Sequence, residues 1–268
     1  MLNSTIQQKV YFVLRLSVSM CFIGHGAFGI ITKPIWCNYF AVFGISHVTA
    51  YQLMPVVGSI DVLMGLIMLV YPIRATALWL VLWGIITASL RPLSGEPFAE
   101  FIERAGNFGA PLALLLLCGI GTTTKEWFTR INDYIQPSHK TRQKVIWCLK
   151  TIVFLLLFGH GWLNLLAKKS LLTQYHALGF ADPVLTAHLF GAAEVAAAFT
   201  VWIDALSPLL LILFVWKVAT ELFYPHYEIL EFVERGGSYG SLLSLWMLQR
   251  NIKVPFKNIF SKPAYHLF

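Results

Sequence analysis

Charge is scarce in this chain. Asp, Glu, Lys and Arg make up 12% of its 268 residues, against about 25% in an ordinary soluble domain. With 57% hydrophobic residues and a mean hydropathy of +0.67, that scarcity excludes a water-exposed globule and leaves a chain whose main solvent is lipid. Paired cysteines are missing too. Cys21, Cys37, Cys118 and Cys148 form no CxxC motif, so neither a disulfide framework nor a dithiol relay is implied, and each reads as a small buried hydrophobe. A Gly-rich phosphate loop, a nucleophile elbow and an HExxH helix are also absent, which removes support for phosphate handling and covalent catalysis. No small-residue cleavage site follows the first apolar run, so it reads as an anchor and not a removable signal.

What is present is a series of apolar runs of about 17–25 residues, enough to span a bilayer. They begin near Tyr11, Gln52, Thr76, Asn107, Val145, Thr186, Leu206 and Ser238. The expected fold is therefore an all-α integral membrane protein with eight transmembrane helices. Net charge is +7, and its distribution argues for a membrane and against nucleic acid. In an eight-span layout, twelve of the 20 Lys and Arg fall on one side, among them Lys140, Arg142 and Lys144 in a central linker and Lys253, Lys257 and Lys262 in the tail. The positive-inside rule then assigns both termini and the linker to the cytoplasm, in an inner (plasma) membrane.

The chain also repeats itself. Aligning GHG at 24–26 with GHG at 159–161 starts a register that pairs Gly44 with Gly179, Gly58 with Gly191, and Asp61 with Glu194. It continues through Trp83 with Trp216, Thr87 with Thr220 and Pro92 with Pro225. It ends where FAEFIERAGNFG (98–109) meets ILEFVERGGSYG (229–240), matching Glu100, Glu103 and Arg104 to Glu231, Glu234 and Arg235. The expected organisation is a first four-helix unit at 1–121, a basic cytoplasmic linker at 122–144, a second four-helix unit at 145–250 and a cytoplasmic tail at 251–268. An even number of spans per unit makes the two bundles a parallel repeat.

The duplicated polar residues are the candidate site. Asp61 and Glu194 lie about ten residues into apolar runs, where a lone ionised carboxylate costs roughly 2.5–3.5 kcal/mol, so each needs a proton or a partner. The nearest partners by topology are His25 and His160, and Arg104 and Arg235 of the acidic segments. The expectation is that the His, acid and Arg of one unit converge between its helices, with Glu103 and Glu234 in support. A solvated interfacial helix, or a buried network that only holds helices in register, would use the same residues. Histidine with carboxylates also suits a metal, which makes His25, Asp61, Glu103, His160, Glu194 and Glu234 candidate ligands for iron, although neither unit has an ExxH pair. A haem would take His25 or His160 as its axial ligand. His188 and His176 have no histidine counterpart in the first unit, and Lys217 and Glu221 lie one turn apart only in the second, so the second unit is favoured as the active one. Trp83 and Trp216 are candidates for packing a ring-shaped cofactor.

Four runs per unit, GHG in the first, a Gly followed three residues later by an acid in the second, and an acidic ER–G element before the fourth resemble the DoxX-like superfamily of membrane proteins. The resemblance covers nearly all of the chain outside the linker and tail. It implies a four-helix membrane bundle working near the quinone pool, as in the DoxD subunit of thiosulfate:quinone oxidoreductase. The tandem duplication and the lack of cysteine pairs depart from what it implies. The resulting expectation is a quinone-reactive or cofactor-binding subunit of a membrane oxidoreductase, with a redox partner subunit and a small-molecule ligand. In that reading His25 or His160 hydrogen-bonds the quinone or relays a proton, Asp61 or Glu194 exchanges it, and Arg104 or Arg235 fixes the charge. The alternatives are a non-enzymatic carrier or assembly partner for lipid or protein, and an iron-dependent membrane enzyme.

Overall fold

A computed structural model describes residues 5–222 and 229–250. Pro225 and the tail residues Lys253, Lys257 and Lys262 lie outside the described residues. Among those described there is no strand, only an isolated bridge between Ile73 and Arg130.

Helices follow one another in the same order in both halves. The first half runs through α1 (Ile6–Ile30), a short α2 (Trp36–Ala41), α3 (His47–Val70), α4 (Arg74–Leu93), a short α5 (Ala99–Glu103) and α6 (Ala105–Cys118). A single turn, α7 (Thr124–Phe128), marks the linker. The second half runs through α8 (His139–Leu165), α9 (Lys169–Ala177), α10 (Pro183–Ile203), α11 (Ser207–Leu222), α12 (Ile229–Glu234) and α13 (Gly236–Gln249). α8 starts inside the stretch read as linker. The likeness extends to the backbone: Thr32 and Ala167, paired by the alignment, both have positive φ, at 57° and 50°. Gly44 and Gly179 close the two short helices at φ 71° and 86°, a conformation that glycine adopts without steric cost.

Polar caps start the long helices before they turn apolar. Thr5 forms a capping box with Gln8, Ser46 accepts from the Thr49 amide, Ser138 from the Thr141 amide, and Asp182 from the amides of Val184 and Leu185 ahead of Pro183. Each cap satisfies amides that have no intrahelical partner and would be costly to leave bare near lipid.

Among the described residues five helices, α1, α3, α4, α8 and α10, are long and apolar enough to cross a membrane. The sequence reading expects eight; of the other three, α11 has 16 residues up to Leu222, where the described residues break off, and α6 and α13 are short for a backbone reason. Ahead of the fourth run of each half the helix breaks at Arg104 (φ −87°, ψ 16°) and at Arg235 (φ −81°, ψ 9°). That leaves α6 and α13 with 14 residues each, about 21 Å at 1.5 Å per residue, against a hydrocarbon core of about 30 Å.

Close packing is built on glycine. A Cβ on Gly26 would fall 2.4 Å from the carbonyl oxygen of Gly58, and one on Gly161 would fall 2.8 Å from that of Gly191. α1 therefore rides on α3, and α8 on α10, at backbone distance, as expected where lipid removes the hydrophobic drive between helices. α1 and α6 then pack on α8 and α13 around one shared core that includes Leu14, Val18, Leu114, Leu149, Leu157 and Leu242. The flanking helices α3 and α10 turn apolar side chains outward, with Val48 72% and Leu189 63% exposed. Such a surface would be a liability in water and is ordinary beside acyl chains. The two halves differ at their flanks. α3 packs against α4, whereas α10 and α11 scarcely touch and meet through the rings of Phe190 and Trp216, 5.3 Å apart.

Candidate functional site

Each half brings its own histidine and its own intramembrane acid together. His25 Nδ1 lies 2.8 Å from Asp61 Oδ2, and His160 Nδ1 lies 2.5 Å from Glu194 Oε2. The two acids are 1% and 6% exposed. With the carboxylate ionised it can only accept, and Nδ1 of each ring is then the donor, which leaves Nε2 open.

The acidic segment packed against each histidine comes from the opposite half. A Cβ on Gly24, next to His25, would fall 2.4 Å from the amide nitrogen of Glu234, and one on Gly159, next to His160, would fall 2.4 Å from that of Glu103. The two glycines of each GHG therefore serve different neighbours. The first admits the acidic segment of the opposite half, and the second admits the next long helix of the same half. Lysines repeat the exchange. Lys33 Nζ donates to Glu231 Oε1 at 2.6 Å, and its counterpart Lys168 donates to Glu100. At the centre the matched glycines meet: a Cβ on Gly237 would fall 2.4 Å from the Gly106 carbonyl oxygen.

His160, Glu194 and Arg235 of one unit do line a common cavity, as do His25 and Arg104 of the other, but the opposite half's glutamate joins each set. Neither arginine pairs with an intramembrane acid. Arg104 donates to Glu100 at 2.6 Å and to Glu103 at 3.0 Å. Arg235 donates to Glu221 at 2.7 Å and lies 3.6 Å from Glu231. Each guanidinium sits at a helix break, and carboxylates one turn away on its own segment or on α11 reach it first. Lys217 and Glu221 are 3.7 Å apart.

Space divides the two sites. Over His25 the Trp36 indole lies with ring centroids 4.7 Å apart, leaving a cavity of about 100 Å³ walled by Tyr39, Phe43, Trp83, Arg104 and Glu234. Over His160 the cavity is about 890 Å³. In the duplicated register Leu171 stands where Trp36 stands, and the gap between α10 and α11 adds room. Phe180, Phe190 and Trp216 line one side of this cavity, and Glu103, Arg235 and Glu221 another. The second site is also better braced. Asn164 donates to Glu194 Oε2 at 3.4 Å and to the His160 carbonyl at 3.2 Å, and Tyr175 donates to Asn164 Oδ1 at 2.7 Å. Gly29 replaces Asn164 in the first half, and the buried Asp61 Oδ1 has no hydrogen-bond partner there.

At the rim of the sites the acids are held ionised. Burial alone would raise Glu96, but the Arg91 guanidinium and the Tyr39 hydroxyl, 2.7 Å away, outweigh it and hold the carboxyl below its usual range. For Glu231 burial is likewise outweighed, by Arg235 and Lys33.

His188 lies on the exposed side of α10, away from either cavity. Trp83 and Trp216 line the first and second cavities respectively. Among the described residues no three His, Cys, Asp or Glu side chains converge to hold a metal ion. The candidate ligands His25, Asp61, Glu103, His160, Glu194 and Glu234 therefore do not form a donor set suited to iron. Sequence reasoning missed Asn164 and Tyr175, although an amide four residues after His160 in an apolar run was a visible signal. Comparison of the chain with protein-family models, with curated proteins and with solved structures finds no match.

Proposed function

We propose that this is a membrane protein of eight spans in two parallel repeats, the short fourth helices completing the bundle, whose second half holds a quinone-reactive site serving a membrane oxidoreductase. In this reading the pseudo-twofold axis runs through the contact of Gly106 with Gly237, and both termini and the linker face the cytoplasm. The observation that carries the reading is a buried chain of hydrogen bonds, Tyr175 to Asn164 to Glu194 to His160, opening on an aromatic-walled cavity of about 890 Å³. That volume falls within the roughly 300–1,000 Å³ of small-molecule sites, and its aromatic and ionic sides suit a planar ring with polar edges.

Roles follow from geometry. His160 Nε2 is the hydrogen-bonding and proton-exchanging atom at a ring oxygen. Glu194 fixes the tautomer through Nδ1 and stabilises the imidazolium when Nε2 takes a proton. Asn164 and Tyr175 orient Glu194, as outer partners of a functional carboxylate do. Phe190 and Trp216 form the packing surface for the ring. A quinone needs two electrons and two protons to become a quinol. The chain's residues supply the proton route, and a partner redox subunit supplies the electrons.

The test is a lipid extract of the purified protein together with Glu194→Gln. The reading expects co-purified quinone and a loss of quinone-dependent turnover of about 100-fold or more, the size of a general acid–base contribution, with the bundle still folded. Unchanged turnover would reject the proton role. Phospholipid without quinone, with activity that survives loss of both His25 and His160, would support a carrier for lipid or protein instead.

A further inference from the structure

Glu103 and Glu234 hold matching positions, but their surroundings differ. Glu103 accepts from Arg104 at 3.0 Å. Among the described residues the Glu234 carboxylate makes no side-chain hydrogen bond and no close ion pair, though it lies in the field of Arg104 and Arg235. The cause lies one helix away: Arg235 is drawn to Glu221 at 2.7 Å, whereas the first half has Ala88 at that position and leaves Arg104 to its own glutamates.

Glu234 also has a place that no other carboxylate shares. It lines the cavity of about 100 Å³ over His25, the cavity of about 890 Å³ over His160, and a third of about 20 Å³ between them. Glu103 lines only the last two. The smallest is large enough for one water, which needs about 10–15 Å³ by the same measure. Its backbone is held against α1 at Gly24, so the carboxylate cannot drift from the residue next to His25.

We infer that Glu234 is a proton-transfer residue joining the two histidine sites, which makes the first half a proton chamber for the second. The inference rests on the quinone reading for its purpose, but the transfer itself needs no ligand. A proton leaving His25 Nε2 forms an O–H bond on Glu234. It then leaves that oxygen for a water in the intervening space and reaches His160 Nε2, and the reverse order is equally balanced. No electron moves in the relay. The charged and titratable groups facing Glu234 include His25 and Cys21 from α1, Arg91 from α4, Glu103 and Arg104 beside α5, His160 from α8, Lys217 and Glu221 from α11, Arg235 on its own segment and Tyr239 from α13. Arg104 and Arg235 both feel the Glu234 charge, but each makes its close ion pairs with other glutamates.

The test uses the full chain, labelled with ¹⁵N-histidine, in lipid bilayers. Replacing Glu234 by Gln is expected to change the ring ¹⁵N resonances of both His25 and His160 across a pH sweep, whereas Glu103→Gln changes those of His160 alone. Glu221→Ala, which frees Arg235 to pair with Glu234, should mimic Glu234→Gln without altering the relay residue. A Glu234→Gln protein whose His160 signals match the wild type would overturn the inference, as would a Glu221→Ala protein whose two histidines are unmoved. A second arm follows quenching of tryptophan fluorescence by a short-chain ubiquinone. If the wild type fails to bind it, the quinone reading fails while the histidine spectra still decide the relay. If it binds, Glu234→Gln should lower turnover at least about tenfold with affinity retained, and equal turnover would remove the relay from the reaction.

Discussion

Over His25 lies the indole of Trp36, and over His160 the matching position holds Leu171 beneath an open space. Both halves keep the histidine–carboxylate pair, at 2.8 and 2.5 Å, so the reactive dyad is not what separates them. What separates them is volume and bracing. One aromatic ring fills the first site. In the second, a smaller side chain and a parted α10 and α11 leave room for a ligand, and Asn164 occupies the place of Gly29. A duplicated chain can thus hold two copies of the same chemistry and offer only one of them to a ligand.

The largest expected effect tests the sameness of the two halves. Gly24→Val and Gly159→Val each drive a side chain into the backbone of the opposite half, 2.4 Å from a Cβ, and each should cost about 3 kcal/mol, the upper end of overpacking. Thermal unfolding in detergent should fall alike for both, and a loss confined to one would break the symmetry of the exchange. Next comes the difference in volume. Leu171→Trp should fill the second cavity and weaken binding of a short-chain ubiquinone at least about tenfold, or ~1.4 kcal/mol. Trp36→Leu should open the first site, giving a second binding event in a fluorescence titration.

Bracing is the third difference. Asn164→Gly copies the first half and removes the link from Tyr175 to Glu194, at a cost of about 1–2 kcal/mol in stability, read by the same unfolding experiment. The reverse change, Gly29→Asn, should be worse, because a Cβ there would sit 2.8 Å from the Gly58 Cα. The smallest effect is on pH. Glu231 is held below its ordinary value, so its pairing with Lys33 contributes fully above about 4.3, the unfolded carboxyl value, and is lost as pH falls through the lower folded value. The contribution is about 1 kcal/mol or less, and an acid titration of Lys33→Met should lie above pH 4 as flat as that of the wild type, merely offset from it.

Much of this was legible in the sequence, and the part that was not has a physical reason. The order of helices followed from the apolar runs, and the His25–Asp61 and His160–Glu194 pairs followed from the duplicated GHG and the acid in the next run. Which half lends its ER segment to which histidine could not be read. An alignment of two repeats matches Glu103 with Glu234 whether each serves its own unit or the other. The breaks at Arg104 and Arg235 fall where the ER segments meet the runs that begin near Asn107 and Ser238, but how short the helices after them are was not read. Arg235 was expected near the buried acid, but Glu221, one helix away in space, takes it.

The exchange between halves is the claim on which the relay and both sites depend, and a cross-link measures it directly. In a cysteine-free chain cut by protease within the linker, Lys33→Cys with Glu231→Cys, and Lys168→Cys with Glu100→Cys, should be bridged by a short bismaleimide that keeps the two fragments together on a denaturing gel. Fragments that separate, with a bridge forming instead between cysteines at positions 33 and 100, would mean that each half completes its own site and would contradict the account.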